Sequence, residues 1–95
     1  MHKYEIMYIV RPDLEAEATE AVIESFNNTL ETQGATVEKT DKWGLRELAY
    51  DIQKHSKGYY VVLNVEAPGA AIDEFTRLAR ISEDIIRFIT IRDDE

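Results

Sequence analysis

Side chains that could do proton, ligand or nucleophile chemistry are few and scattered. The two histidines, His2 and His55, stand far apart, and neither has an acidic partner at the helical spacing of a metal pair. There is no cysteine, which excludes a disulfide scaffold, a cysteine zinc site and a thiol nucleophile together. No nucleophile elbow surrounds Ser25, Ser56 or Ser82. Gly34, Gly44, Gly58 and Gly69 are too widely spaced for a phosphate-cradling loop, and each is accounted for by a bend. The pairs Asp73-Glu74 and Asp93-Asp94 are adjacent, so their side chains diverge on a helix or strand and make poor acid/base couples. The expectation is a protein with no catalytic residues, no metal and no cofactor.

Charge is more informative. The chain carries 19 acids against 11 lysines and arginines, a net −8, which taken whole opposes unaided nucleic-acid binding. The excess is local, however. Six acids and no Lys or Arg fall in 13–31, three more acids close the chain, and the remainder is close to neutral. With 44% hydrophobic and 32% charged residues over 95 positions, a disordered chain and a coiled-coil rod are excluded, and one domain spanning 1–95 is expected. No apolar run approaches the ~18 residues of a membrane helix. Glu5 falls where a signal peptide would continue its apolar core, so a cytoplasmic domain without a membrane partner is expected.

The elements follow from pattern. Tyr4 to Val10 is aromatic and β-branched and predicts a first strand over 3–10, apolar on both faces and therefore central. Asp13 reads as an N-cap for a helix over 14–33, with Ala18, Val22, Phe26 and Leu30 at helical spacing, Glu20, Glu24 and Glu31 outside, and Gly34 as its stop. A long strand over 36–52 is interrupted by Gly44, which predicts a bulge. Residues 54–58 read as a hairpin loop, 59–67 as a third strand, 70–80 as a second helix with Asp73 and Arg77 at pairing distance, 82–84 as a turn and 85–92 as a fourth strand. On the third strand Tyr59, Val61, Leu63 and Val65 share one face, and Tyr60, Val62, Asn64 and Glu66 the other. Tyr4, Tyr8, Tyr59 and Tyr60 make the first and third strands aromatic-rich.

The order β-α-β-β-α-β predicts an α+β, ferredoxin-like fold, a four-stranded antiparallel sheet with both helices on one face. One enzyme class on this fold, the acylphosphatases, uses an arginine in a glycine-rich loop after the first strand and an asparagine from the sheet. Arg11 and Asn64 occupy such places. But Pro12 follows Arg11 and no glycine flanks it, so converging backbone amides are missing. A ligand-sensing or self-associating module is a further alternative, and spacing alone stops at a small binding module with an open sheet face.

The stretch Trp43-Gly44-Leu45-Arg46-Glu47-Leu48-Ala49-Tyr50-Asp51-Ile52-Gln53-Lys54 resembles the signature of the bacterial ribosomal small-subunit protein six family. Gly44, Arg46, Leu48, Ala49, Tyr50, Ile52 and Lys54 match it, seven positions within eleven residues. Tyr4 to Pro12, Gly58-Tyr59-Tyr60, Asn64 to Pro68 and Ile81 to Arg87 are similar to other stretches of that family, so the likeness spans the chain. Two positions depart from the signature: Asp51 stands where proline is common, and Glu47 where a second basic residue is common. The tail is also shorter than in many members.

The resemblance implies the same fold and a non-enzymatic role. It implies a ribosomal protein of the small-subunit platform that binds small-subunit ribosomal RNA as a heterodimer with small-subunit protein eighteen, a basic partner. Such a partner would supply phosphate neutralisation that this acidic chain lacks. Because the first helix lacks cations, the expected RNA contacts are His2 and Lys3 on the first strand and Arg87 and Arg92 on the fourth. Antiparallel pairing places residue 3 near residue 92. Arg87 lies about 17 Å away along the strand. Arg46, Tyr50 and Lys54 are expected to form a separate, partner-facing group.

Overall fold

The computed structural model describes residues 1–92, and the acidic Asp93, Asp94 and Glu95 lie outside the described residues. The elements are β1 (His2–Val10), α1 (Ala16–Thr32), β2 (Thr36–Ile52), β3 (His55–Ala67), α2 (Gly69–Ile81) and β4 (Ile85–Arg92). They form one sheet of order β2-β3-β1-β4, with β1 paired antiparallel to both β3 and β4, and β2 antiparallel to β3. The predicted ferredoxin-like arrangement is the one observed, with the apolar β1 inside the sheet.

Alternation along the strands divides the sheet into two faces. Ile6, Tyr8 and Val10 of β1 lie opposite Leu63, Val61 and Tyr59 of β3 and point toward the helices. There they join Ile23, Phe26 and Leu30 of α1 and Ala71, Phe75 and Ala79 of α2 in the main core. At its centre Tyr8, Phe26 and Phe75 pack with ring centroids 5.3 to 6.0 Å apart. Burial pushes the Tyr8 phenol well above its ordinary pKa, with the nearby charges of Glu20 and Tyr59 adding to the effect.

Several local expectations are corrected. Asp13 does not cap α1: Glu15 holds the N-cap position in extended backbone, without a side-chain cap bond. Leu14 packs against the core just before it, which delays helix entry, while the Asp13 carboxylate turns to Arg11 at 3.4 Å. The buried face of α1 is Thr19, Ile23, Phe26 and Leu30, so Ala18 and Val22 sit at its margin. The C-terminus follows the expectation. Gly34 has φ +93°, its N–H donates to Glu31 O, and the Ala35 N–H donates to Leu30 O, which together make a Schellman closure.

The expected hairpin loop over 54–58 is a two-residue turn. Ile52 pairs with His55, and Gln53 and Lys54 between them both have positive φ, 50° and 69°. Gly58 is therefore a buried strand residue and not a loop residue. A β-carbon placed there would collide with Ile9 Cγ2. In α2, Arg77 pairs with Glu74 and not Asp73. The longer stem of Glu74 permits a two-pronged contact, with Nε and Nη2 donating at 2.7 and 2.9 Å.

Candidate functional site

The helix-free face of the sheet carries the features with binding potential. Strand register puts Lys3, Glu5, Met7 and Ile9 of β1 on this face, with Tyr60, Val62, Asn64 and Glu66 of β3 and Arg87, Ile89 and Ile91 of β4. Ile9, Val62 and Ile86 are buried but stand apart from the main core, in a small second cluster. Of the four tyrosines of β1 and β3, Tyr60 alone lies on this face. Tyr4, Tyr8 and Tyr59 pack with the helix-side core.

The segment that carries the family-like signature is what covers this second cluster. Regular β2–β3 pairing stops at Glu47 opposite Lys57 and resumes at Ile52 opposite His55. On β2, the four residues 48–51 fall between those two pairs, against the single residue 56 on β3. Released from the ladder, Leu48, Ala49 and Tyr50, with Ile52 where pairing resumes, line a depression of about 150 Å³ together with Met7, Ile9, Tyr60 and Ile89. The bare backbone of Gly58 permits this approach, since Ile9, Ile86 and Leu48 all converge where its side chain would be.

The cations expected to act are placed as follows. Arg87 donates from Nη1 to the Tyr50 hydroxyl, and its Cζ stands 6.0 Å from the Tyr50 ring centroid. Arg87 and Tyr50 were expected to serve separate surfaces, and the fold joins them across 37 residues of sequence. Arg92 and His2 also meet, with Arg92 Nη2 2.7 Å from His2 Nδ1. Lys3 does not join them: Tyr4, not Lys3, is the residue opposite Arg92, and alternation sends Lys3 to the other face, opposite Glu66. The expected cluster at that end is thus split between the two faces of the sheet.

Arg46 lies over the Trp43 ring at 5.3 Å, and Trp43 stacks on Tyr60 with centroids 6.1 Å apart and planes 8° from parallel. Gly44, with φ +83° beside a register shift, is the bulge that allows Trp43 and Arg46 to share this stack. Lys54 occupies the hairpin turn beyond the 48–51 segment, and the adjacent Gln53 lines a shallow depression shared with Ile86 and Arg87 of β4. Sequence reasoning did not single out Trp43 as functional. An exposed tryptophan beside a strand glycine was the available signal, and Trp43 is 47% exposed.

The opposite side is acidic. Glu17, Glu20, Glu24 and Glu31 of α1 are all exposed. Lys42 of β2 reaches Glu20 at 2.7 Å, and this hydrogen bond raises the Lys42 pKa. Arg11, the residue tested as an anion cradle, has Nε 3.0 Å from Asp84 Oδ1 and Nη1 3.4 Å from Asp13 Oδ2. Its guanidinium is already engaged by two carboxylates, a setting unsuited to holding an acyl phosphate. Among the described residues no group of three His, Cys, Asp or Glu is arranged to hold a metal. No helix described is long and apolar enough to cross a membrane.

Comparison with known proteins agrees with this architecture. A family model described as "Ribosomal protein S6" matches residues 3–92. The chain is 47% identical to the "Small ribosomal subunit protein bS6" of Carboxydothermus hydrogenoformans, across 100% of this chain and 99% of that one. It is 50% identical to the protein of the same name from Halalkalibacterium halodurans, with full coverage of both. The crystal structure of 30S ribosomal protein S6 from Thermotoga maritima superposes with a TM-score of 0.93 at 29% identity, covering 97% of this chain and 87% of that one. The chain belongs to the ribosomal protein S6 family, whose members are components of the small ribosomal subunit and not enzymes.

Proposed function

We propose that the chain binds small-subunit ribosomal RNA as a heterodimer with small-subunit protein eighteen. The observation that carries this reading is the separation of surfaces. The outer face of α1 presents acids that repel phosphate, whereas the helix-free face of the sheet presents an incompletely covered apolar cluster with Arg87 at its border and Lys3 and Arg46 on the same face, beside Glu5 and Glu66. Met7 and Tyr60 are half-buried there, and Ile91 is 55% exposed. A soluble partner that covered these side chains would gain apolar burial, and a basic one would supply the positive charge this chain lacks.

In this reading His2, Lys3, Arg87 and Arg92 meet RNA phosphates, while Arg46, Tyr50 and Lys54 meet the partner. Within this reading His2 and Arg92 serve one phosphate and Lys3 another, because they project from opposite faces. The test is RNA binding by the lone chain, by the partner and by the mixture across a salt series. Weak binding alone and tight binding by the mixture are expected. Tight binding by the lone chain, or none by the mixture, counts against the proposal. Alanine at a phosphate-contacting cation should lower the salt slope by about 1.

A further inference from the structure

The Tyr50–Arg87 contact differs in kind from the pairings of Arg11 and Arg77. Arg11 and Arg77 are held by carboxylates, which cancel their charge locally. Arg87 is held by a neutral phenol, which fixes the direction of the guanidinium and leaves its charge intact. Both side chains are exposed. The two partners also belong to parts of the fold with different tasks. Tyr50 sits on the 48–51 segment that lies free of the β-ladder over the apolar cluster, and Arg87 sits on the edge strand β4, opposite Ile9. Whatever settles or shifts the 48–51 segment therefore moves the hydroxyl that aims Arg87.

We propose that Tyr50 is the residue through which partner binding and RNA binding are coupled: contact of the partner with the 48–51 segment fixes the Tyr50 hydroxyl, which presents Arg87 to an RNA phosphate. This inference rests on the function proposed above. The surface concerned is the same, and what is added is the direction of influence and the residue that transmits it. Coupling of this kind is reciprocal, so RNA must tighten the partner by the same factor by which the partner tightens RNA. Tyr50 is a positioning residue here, acting on the phosphate only through Arg87.

The experiment uses the full chain, the purified partner and a platform RNA fragment. Wild type, Tyr50→Phe, Arg87→Ala and the double variant are compared. RNA affinity is measured with saturating partner, and partner affinity with and without RNA. Tyr50→Phe keeps the ring that faces Met7 and Ile9 and removes only the hydroxyl, so its thermal midpoint should match wild type, and its partner affinity with RNA is referred to its own value without RNA. Its RNA affinity with partner bound should fall about fivefold, and the tightening of partner by RNA should shrink by the same factor. Arg87→Ala should reduce the salt slope by about 1. The double variant should be no weaker than Arg87→Ala alone, because the two changes remove one linked contact.

Coupling in Tyr50→Phe equal to wild type overturns the inference, as does additive loss in the double variant. Both outcomes leave the proposed function standing. Failure of the wild-type mixture to bind RNA overturns the proposed function, and the coupling with it.

Discussion

The two faces of one sheet use the same strands and reach different end points. On the helix side, Ile6, Tyr8, Val10, Val61 and Leu63 are each at 0% exposure, sealed by α1 and α2. On the other side, residues of the same sheet bury Ile9, Val62 and Ile86 beside Gly58, and their cover is the 48–52 segment of the hairpin. Both faces carry apolar residues, the second among Lys3, Glu5, Asn64, Glu66 and Arg87. The chain completes the first within itself, whereas the second is left partly open at Met7, Ile89 and Ile91. Apolar surface thus takes its meaning from what lies over it: the first face stabilises the monomer, and the second is suited to completion by another chain.

That contrast can be broken most severely at Phe75, which touches both other aromatic rings of the main core. Phe75→Ala should cost about 4 kcal/mol, read by urea unfolding. Gly58→Ala tests the second cluster, where the added carbon meets Ile9 Cγ2. It should cost about 3 kcal/mol by forced repacking, and pairing it with Ile9→Ala should return part of that loss. A loss below 1 kcal/mol in Gly58→Ala would mean that the close approach there is easily relaxed.

At the open rim, Met7→Ala should cost the isolated chain about 1 kcal/mol or less, because the side chain is half-covered. Its affinity for the partner should fall about tenfold in calorimetry, and equal losses in both measurements would erase the distinction between the faces. Lys54→Gly should stabilise the chain by about 1 kcal/mol, since glycine relieves the positive φ at the turn, while lowering partner affinity.

The smallest effect is expected at Glu74 on α2, away from both clusters. The hydrogen bond from Arg77 holds its carboxyl below the usual carboxylate range. A lowered folded-state value contributes stability above the unfolded value, about pH 4.3, and loses it as pH falls through the folded value. The slight stability gap between wild type and Glu74→Gln should therefore be present at neutral pH and close in acid. A gap that widened in acid would reverse the sign of this contribution.

Much of the fold was legible because it follows from period. Alternation in Tyr59 to Val65 and the helical spacing through Phe26 and Leu30 specify which faces must be covered. Gly34 was legible because a helix stop has a local chemical cause. What escaped depends on contacts distant in sequence. Gly58 looked like a loop glycine because glycine signals both turns and close approaches, and only the arrival of Ile9 from β1 distinguishes them. The tight turn at Gln53-Lys54 escaped because turns with two positive φ values favour Asn and Gly, which are absent there. Strand alternation alone could have separated Lys3 from Arg92. The Tyr50–Arg87 contact had no local signal, since it needs the release of 48–51 from the ladder.

The interruptions of β2 bear on how the chain survives before it has company. As an outer strand of 17 residues, β2 would be a long row of vacant hydrogen-bonding groups if it were straight. Its pairing instead breaks after Val37, after Lys42 and after Glu47. The regular stretches Lys39–Lys42 and Gly44–Glu47 are only four residues each, and both contain charged side chains. Such fragments are poor templates for the strand of another copy, so the same irregularities that bend the signature segment across the sheet also make this edge a poor place for strand addition.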